Sequence, residues 1–184
     1  SERGQKQFQH WADILKQQSF KAVYSSDLQR TRNSAQFIGQ QHGLEPVAYS
    51  ELRELSFGTW EGMSVSEVER NFPGQMKKRM ESVATFQADG GETYPQLQAR
   101  VIPKFEEIVA LHPNEQIAMV CHGGVNRVIL GHLLGIPMDR IFRIHQDYAA
   151  LNVIQYYDQE PVVEYIGNAE LFASRKDEIK TAIQ

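Results

Sequence analysis

A chain of 184 residues holds one hydrophobic core, or one core with a small inserted cap. Its 41% apolar and 23% charged residues are ordinary for a globular protein; no apolar run approaches the roughly 18 residues of a membrane span, and no signal-peptide pattern appears. A net charge of −4 and an isoelectric point near 5.9 exclude a general attraction for nucleic acid, while a single cysteine, Cys121, excludes an internal disulfide and points to a reducing compartment, the cytoplasm.

In chain order, Ser1 suits the N-cap of a helix whose Phe8, Trp11, Ala12 and Leu15 recur as one buried stripe. The segment 20–24 reads as a strand ending at Ser25-Ser26. Ser26 or Asp27 is expected to cap a second helix, with Leu28, Ala35 and Ile38 on one face and Gly43 as its stop. Residues 46–49 form another short strand. Residues 51–62 carry few helix or strand signals, and Gly58 and Gly62 predict a shaped loop. Residues 64–87 read as helical with a break at Pro73-Gly74. After a turn at 89–91, Glu92 or Thr93 begins a long helix through Leu97, Val101, Phe105, Ile108 and Leu111.

The run 116–121 is nearly all apolar, the pattern of a strand covered on both faces. His122-Gly123-Gly124 follows it, then a helix from about 125 to 134, ended by Gly135 and Pro137. Residues 152–157 and 161–166 pair as a hairpin across 158–160, and the tail from Glu170 reads as helical. Strand and helix alternate, which predicts an α/β fold, a three-layer αβα sandwich with a mostly parallel central sheet. In such sheets ligands sit beyond the carboxyl ends of the strands. Two strand exits carry polar chemistry there, Tyr24 to Arg30 and Cys121 to Gly124.

His122 sits between a buried strand and a helix mouth, where Gly123 lets the backbone approach an anion and unpaired N–H groups point outward. Such a histidine can donate to a phosphate oxygen; the alternative is one that merely caps the turn. Arg30 lies in the first turn of its helix, where a cation opposes the dipole, so fork-like phosphate binding is the better reason for it than a pair with Asp27. Glu54, in an apolar and aromatic loop, suits a general acid for a leaving alkoxide, against an ordinary pair with Arg53. Glu61 is a weaker candidate, and Glu92 fits a helix cap. Cys121 and Arg127 are spaced as C-x5-R, the pattern of cysteine-dependent phosphatases, although Cys121 also continues an apolar strand. No cluster of histidines and carboxylates calls for a metal, and no cofactor is implied.

Three segments together resemble the histidine phosphatase superfamily, also called phosphoglycerate mutase-like: Ser26-Asp-Leu-Gln-Arg30, Arg53-Glu-Leu-Ser-Phe-Gly-Thr-Trp-Glu-Gly62 and Val120-Cys-His-Gly-Gly124. They stand in family order and span nearly the whole chain. The resemblance implies the phosphoglycerate mutase-like sandwich over residues 1–184, with about 51–95 as a substrate-covering insertion. It also implies phosphomonoester hydrolysis through a phosphohistidine, with no metal and no cofactor. By that likeness Arg30, His122 and Gly123 bind the transferring group, and Glu54 protonates the leaving oxygen and then activates water. Gly90-Gly91-Glu92 and the short middle segment resemble the phosphatase branch, including α-ribazole phosphatases of cobalamin synthesis, more than the mutases. The expected partner is a small phosphomonoester, not nucleic acid or membrane; oligomeric state is open.

The chain departs from the family at one point. The family's first strand ends in Arg-His-Gly, which supplies the nucleophile, and that tripeptide does not occur here. The expectation is that the sequence begins downstream of this strand, leaving a central gap to be filled by an upstream peptide, a partner or a swapped element. If the nucleophile is truly absent, the alternative is a phosphate-binding module without catalysis.

Overall fold

The computed structural model describes residues 2–167; the Ser1 cap and the helical tail from Glu170 lie outside them. Helix α1 (Glu2–Leu15) buries Trp11, Ala12 and Leu15, the stripe expected from their spacing. Strand β1 (Phe20–Ser26) leads to helix α2 (Gln29–His42), which stops at Gly43 with φ 65°, a left-handed turn that glycine adopts freely. The cap of α2 is a correction. Leu28 holds that position without a side-chain bond, because Ser26 and Asp27 are committed to other partners.

Strand β2 (Val47–Tyr49) is followed by two single 3-10 turns, 50–52 and 58–60. The expected break at Pro73-Gly74 separates α3 (Val65–Asn71) from α4 (Gln75–Glu81), and Gly74 has φ 76°. Helix α5 (Tyr94–Ala110) opens on a capping box between Thr93 and Gln96, so Thr93, not Glu92, is its cap. Strand β3 (Gln116–Val120) runs into α6 (Gly123–Leu133), which starts two residues earlier than the sequence pattern indicates. Strands β4 (Leu151–Tyr157) and β5 (Glu160–Gly167) form the expected hairpin, turning through Asp158 and Gln159 at positive φ.

β2, β1 and β3 form a parallel sheet in that order, and β4 pairs with β5 in a separate antiparallel ribbon. Side chains of β3 alternate between two cores. Val120 and Ala118 pack with Trp11, Val23 and Ala35, whereas Met119 packs with the cluster of Leu97, Val125 and Phe105. Residues of β4 and β5 feed the same clusters: Leu151 and Tyr165 join Val120, and Ile154 and Val163 lie with Met119. Yet four of the five β3 residues are only half-buried, since its edge away from β1 pairs with no strand among the described residues. The register sets Ser25 beside Val120, so Ser26 and His122 leave the sheet at one edge. That edge carries the chemistry.

Candidate active site

His122 is the extended residue that joins β3 to α6, with φ −124° and ψ 163°. The parallel register brings it against the exit of β1, and its Nε2 lies 2.7 Å from Ser26 Oγ. Ser26 Oγ in turn lies 2.6 Å from Thr31 Oγ1 and accepts the Leu28 N–H at 3.3 Å. Thr31 Oγ1 also donates to the Leu28 carbonyl at 2.9 Å. This buried hydroxyl chain fixes the imidazole ring through one nitrogen, and Nδ1 has no hydrogen-bond partner among the described residues. Burial, reinforced by the charges of Arg30 and Arg100, pushes His122 down to about 4, so the ring is neutral at pH 7.

Arg30 lies exposed in the first turn of α2, near enough for its charge to act on His122. It makes no ion pair among the described residues. The two bland pairings that the sequence allows, Arg30 with Asp27 and Glu54 with Arg53, are both replaced by one bond. Arg53 Nε and Nη2 each donate to the Asp27 carboxylate at 2.6 Å. That fork lowers the Asp27 carboxyl from its ordinary value. Arg30 and Glu54 are both left for other work.

Glu54 points to the start of α6. Its Oε2 accepts the Gly124 N–H at 3.1 Å and its Oε1 the Leu55 N–H at 2.8 Å. A Cβ on Gly124 would collide with Glu54 Oε1, so a glycine is needed there to admit the carboxylate. The Gly123 N–H beside it has no acceptor among the described residues. Segments 26–31, 54–55 and 122–124 therefore meet at one sheet edge.

Sequence reasoning missed the residue that holds the Glu54 loop. Arg100 Nη1 donates to the carbonyls of Glu51 at 2.6 Å and Arg53 at 2.8 Å, and its Nη2 to that of Glu54 at 3.0 Å. The same guanidinium forks onto Glu92 through Nε and Nη2, both at 2.8 Å. Glu92 Oε2 also accepts the Ser56 N–H at 3.0 Å, and the Arg100 bond leads in lowering its pKa. Glu92 is a strut of the loop. Glu61 serves the loop too, accepting the Phe57 N–H at 2.7 Å.

The cysteine alternative fails. Burial, with Glu54's charge added, pushes the Cys121 thiol up to about 12, the opposite of an activated thiolate. Arg127 turns away to donate from Nε to the Ile144 carbonyl at 2.9 Å. Among the described residues no group of three or more His, Cys, Asp or Glu is set to hold a metal, and no helix is long and apolar enough to cross a membrane.

The model of the histidine phosphatase superfamily (branch 1) matches residues 1–169. Phosphoserine phosphatase 1 of Hydrogenobacter thermophilus is 29% identical over 163 residues, covering 89% of this chain and 77% of that protein. Glucosyl-3-phosphoglycerate phosphatase of Mycobacterium tuberculosis is 30% identical over 146 residues, covering 75% of this chain and 65% of its own length. Among solved structures, mycobacterial glucosyl-3-phosphoglycerate phosphatase with inorganic phosphate superposes with a TM-score of 0.81 at 25% identity, covering 92% of this chain and 88% of that one. Alpha-ribazole phosphatase from Shigella flexneri reaches the same TM-score at 21% identity over 92% of this chain and 84% of its own, a likeness of fold alone.

Proposed function

The chain belongs to the histidine phosphatase superfamily, and on that premise we propose that it is the larger part of a phosphomonoester hydrolase working through a phosphohistidine. The observation that carries this reading is the Glu54 carboxylate on the Gly124 N–H, two residues from an imidazole that Ser26 fixes. It joins all three motif segments around one point. The names of the relatives, phosphoserine and glucosyl-3-phosphoglycerate phosphatase, support small phosphorylated substrates. α-Ribazole phosphate stays in the substrate panel on shared fold only. The reducing cytoplasm is the proposed compartment.

The attacking histidine is proposed to come from an Arg-His-Gly segment upstream of Ser1, on a strand that would lie along the open edge of β3. Its ring nitrogen attacks phosphorus as the P–O bond to the leaving group breaks. Glu54 gives its proton to the leaving oxygen. Water then attacks the phosphohistidine, Glu54 takes back a proton, the P–N bond breaks, and phosphate departs. Through both steps Arg30, His122 and the Gly123 N–H hold the equatorial oxygens, whose charge the low-dielectric edge would otherwise leave uncompensated.

The test is the full-length protein that contains this chain, given p-nitrophenyl phosphate and a panel of phosphomonoesters. Turnover together with an acid-labile phosphoenzyme supports the reading. An upstream sequence without histidine at that place, with phosphate binding but no turnover, would replace it by a phosphate-binding module.

A further inference from the structure

The hydroxyl chain behind His122 has a direction, and counting its hydrogens gives it. Thr31 Oγ1 lies 2.9 Å from the Leu28 carbonyl and 3.2 Å from that of Ser26. Carbonyl oxygens only accept, so the single hydroxyl hydrogen of Thr31 points at backbone, as when a helical threonine bonds back to the preceding turn. Thr31 then has nothing left to donate across the 2.6 Å to Ser26 Oγ, and Ser26 is the donor there. Its own hydrogen is thereby spent and the Leu28 N–H fills one lone pair, so Ser26 Oγ accepts across the 2.7 Å to His122. The hydrogen of that bond belongs to Nε2.

The opposite direction fails at one contact. A chain running from Thr31 through Ser26 to a bare Nε2 would leave Thr31 Oγ1 and the Leu28 carbonyl 2.9 Å apart with no hydrogen between them. Ser26 is wholly buried and Thr31 is 4% exposed, so bulk water does not reach that contact to relieve it.

A neutral imidazole has one N–H. With that hydrogen on Nε2, Nδ1 is a bare lone pair, and it is the nitrogen without a partner among the described residues. Burial, with Arg30 of α2 and Arg100 of α5, keeps the ring neutral at pH 7. A neutral His122 therefore cannot donate to a phosphate oxygen, which is the task the proposed hydrolysis gives it. A second proton, on Nδ1, removes the conflict. The charged groups around the ring are Arg30, Arg100 with its partner Glu92, Glu54 on the Gly124 N–H, and Arg127 beside Gly123; buried Cys121 stays a neutral thiol. Cations prevail there, so the empty pocket disfavours the second proton and an entering phosphate dianion favours it.

We infer that Ser26 and Thr31 are positioning residues that keep one proton on Nε2 of His122, so that the ring donates to phosphate only by taking a second proton on Nδ1 as the phosphate group enters. That proton comes with the ligand: a phosphate monoanion gives its P–O–H hydrogen to Nδ1, leaving a dianion and an imidazolium, and no hydroxyl in the chain has to turn. This rests on the phosphohydrolase reading and adds how its pocket becomes charged.

The test is nitrogen NMR of the full-length protein carrying isotope-labelled histidine, with His122 assigned by its absence from His122→Asn. At pH 7 without ligand, Nε2 should carry a hydrogen and Nδ1 none; with saturating inorganic phosphate both should carry one. Thr31→Val loses the hydroxyl and frees Ser26 to turn its hydrogen to Nε2. The Nδ1–H form should then appear in the ligand-free ring, and Thr31→Ser should restore the Nε2–H form. A chain that only packs would leave the tautomer unmoved in Thr31→Val. An Nδ1–H ring in the free wild type overturns the relay, while hydrolysis of p-nitrophenyl phosphate by the same protein would leave the hydrolase standing. A ring that stays neutral with phosphate bound overturns the second proton. No response of His122 to phosphate, together with no turnover, removes both readings. The wild-type spectra decide the matter even if Thr31→Val fails to fold.

Discussion

The Glu54 carboxylate reaches across 70 positions of sequence to the Gly124 N–H at 3.1 Å, and it fits only because residue 124 has no side chain. Both facts bear on one substitution. In Gly124→Ala the helix itself gains, since alanine is favoured over glycine by about 1 kcal/mol in a helix interior and by less near its start. The atom that the new methyl group meets is the flexible end of Glu54, which swings aside. The expected outcome is an unchanged or slightly higher melting temperature with turnover lowered on the order of 10²-fold. A drop in stability without loss of turnover would show that the glycine serves packing alone.

Arg100 is expected to be the most costly single truncation near the site. Arg100→Met removes five donor contacts and leaves Glu92 and three carbonyls without their partner. Side chains of Arg100 and Glu92 are each only 23% exposed, so about 2–4 kcal/mol of stability should be lost in urea titration. The pH dependence follows from Glu92. Its folded pKa lies below the ordinary glutamate value, so its contribution is full above that value and is lost as pH falls through the lowered one. In Arg100→Met that acid limb should flatten; an unchanged limb would assign it to other carboxylates.

His122 gives a linkage of the same sign from a different cause, burial of the imidazole rather than pairing of a carboxylate. Its folded pKa of about 4 lies below the ordinary histidine value of about 6.5, so between those values the unfolded chain binds more protons than the folded one. Stability is unaffected by this group above pH 6.5 and declines as pH falls toward 4. The difference between wild type and His122→Asn in urea midpoint should therefore shift in favour of the variant from pH 7 to pH 4.5. A constant difference would mean that the imidazole is not desolvated.

Arg30 and His122 are proposed to hold the same oxyanion, so Arg30→Ala and His122→Ala should each lower turnover on the order of 10²-fold or more. Arg30 is exposed and unpaired in the described residues, and α2 should not weaken when a first-turn cation is removed. The informative result is thus for Arg30→Ala: intact stability, lost rate. Wild-type turnover in either variant would remove that residue from the phosphate pocket.

How much of this was legible in the sequence follows from distance along the chain. His122, Arg30 and Glu54 each sit in a short segment at a strand exit or a glycine-bounded loop, where local pattern and family likeness both point to them. Arg100 has no such signal. Its carbonyl partners are 46 to 49 positions away, and within its own helix it reads as one more polar residue. The Asp27–Arg53 fork, spanning 26 positions, is hidden for the same reason, and it overrules both local pairings that neighbouring charges suggest. The early start of α6 is masked in the sequence because glycines signal loop, although near the start of a helix they cost little. The fold class was readable from alternation; the separation of β4–β5 from β2–β1–β3 was not, since pairing partners are a tertiary property.

Glu54→Gln tests the proton donor through the leaving group. Gln can still accept the Leu55 or Gly124 N–H through its amide oxygen, so the loop should keep its place while losing the transferable proton. An alkoxide leaves badly unless protonated, whereas p-nitrophenolate is stable without help. The loss in kcat/KM, which reports the first step, should therefore be large for O-phosphoserine or 3-phosphoglycerate, on the order of 10²- to 10⁴-fold, and much smaller for p-nitrophenyl phosphate. Dephosphorylation complicates the aryl ester, because in the proposed mechanism Glu54 also activates water in the second step. A burst of one equivalent of nitrophenolate followed by a slow steady state would then separate the two roles, with phosphoenzyme accumulating in the variant. Equal losses for both substrates without a burst would mean that Glu54 positions the substrate and another group carries the proton.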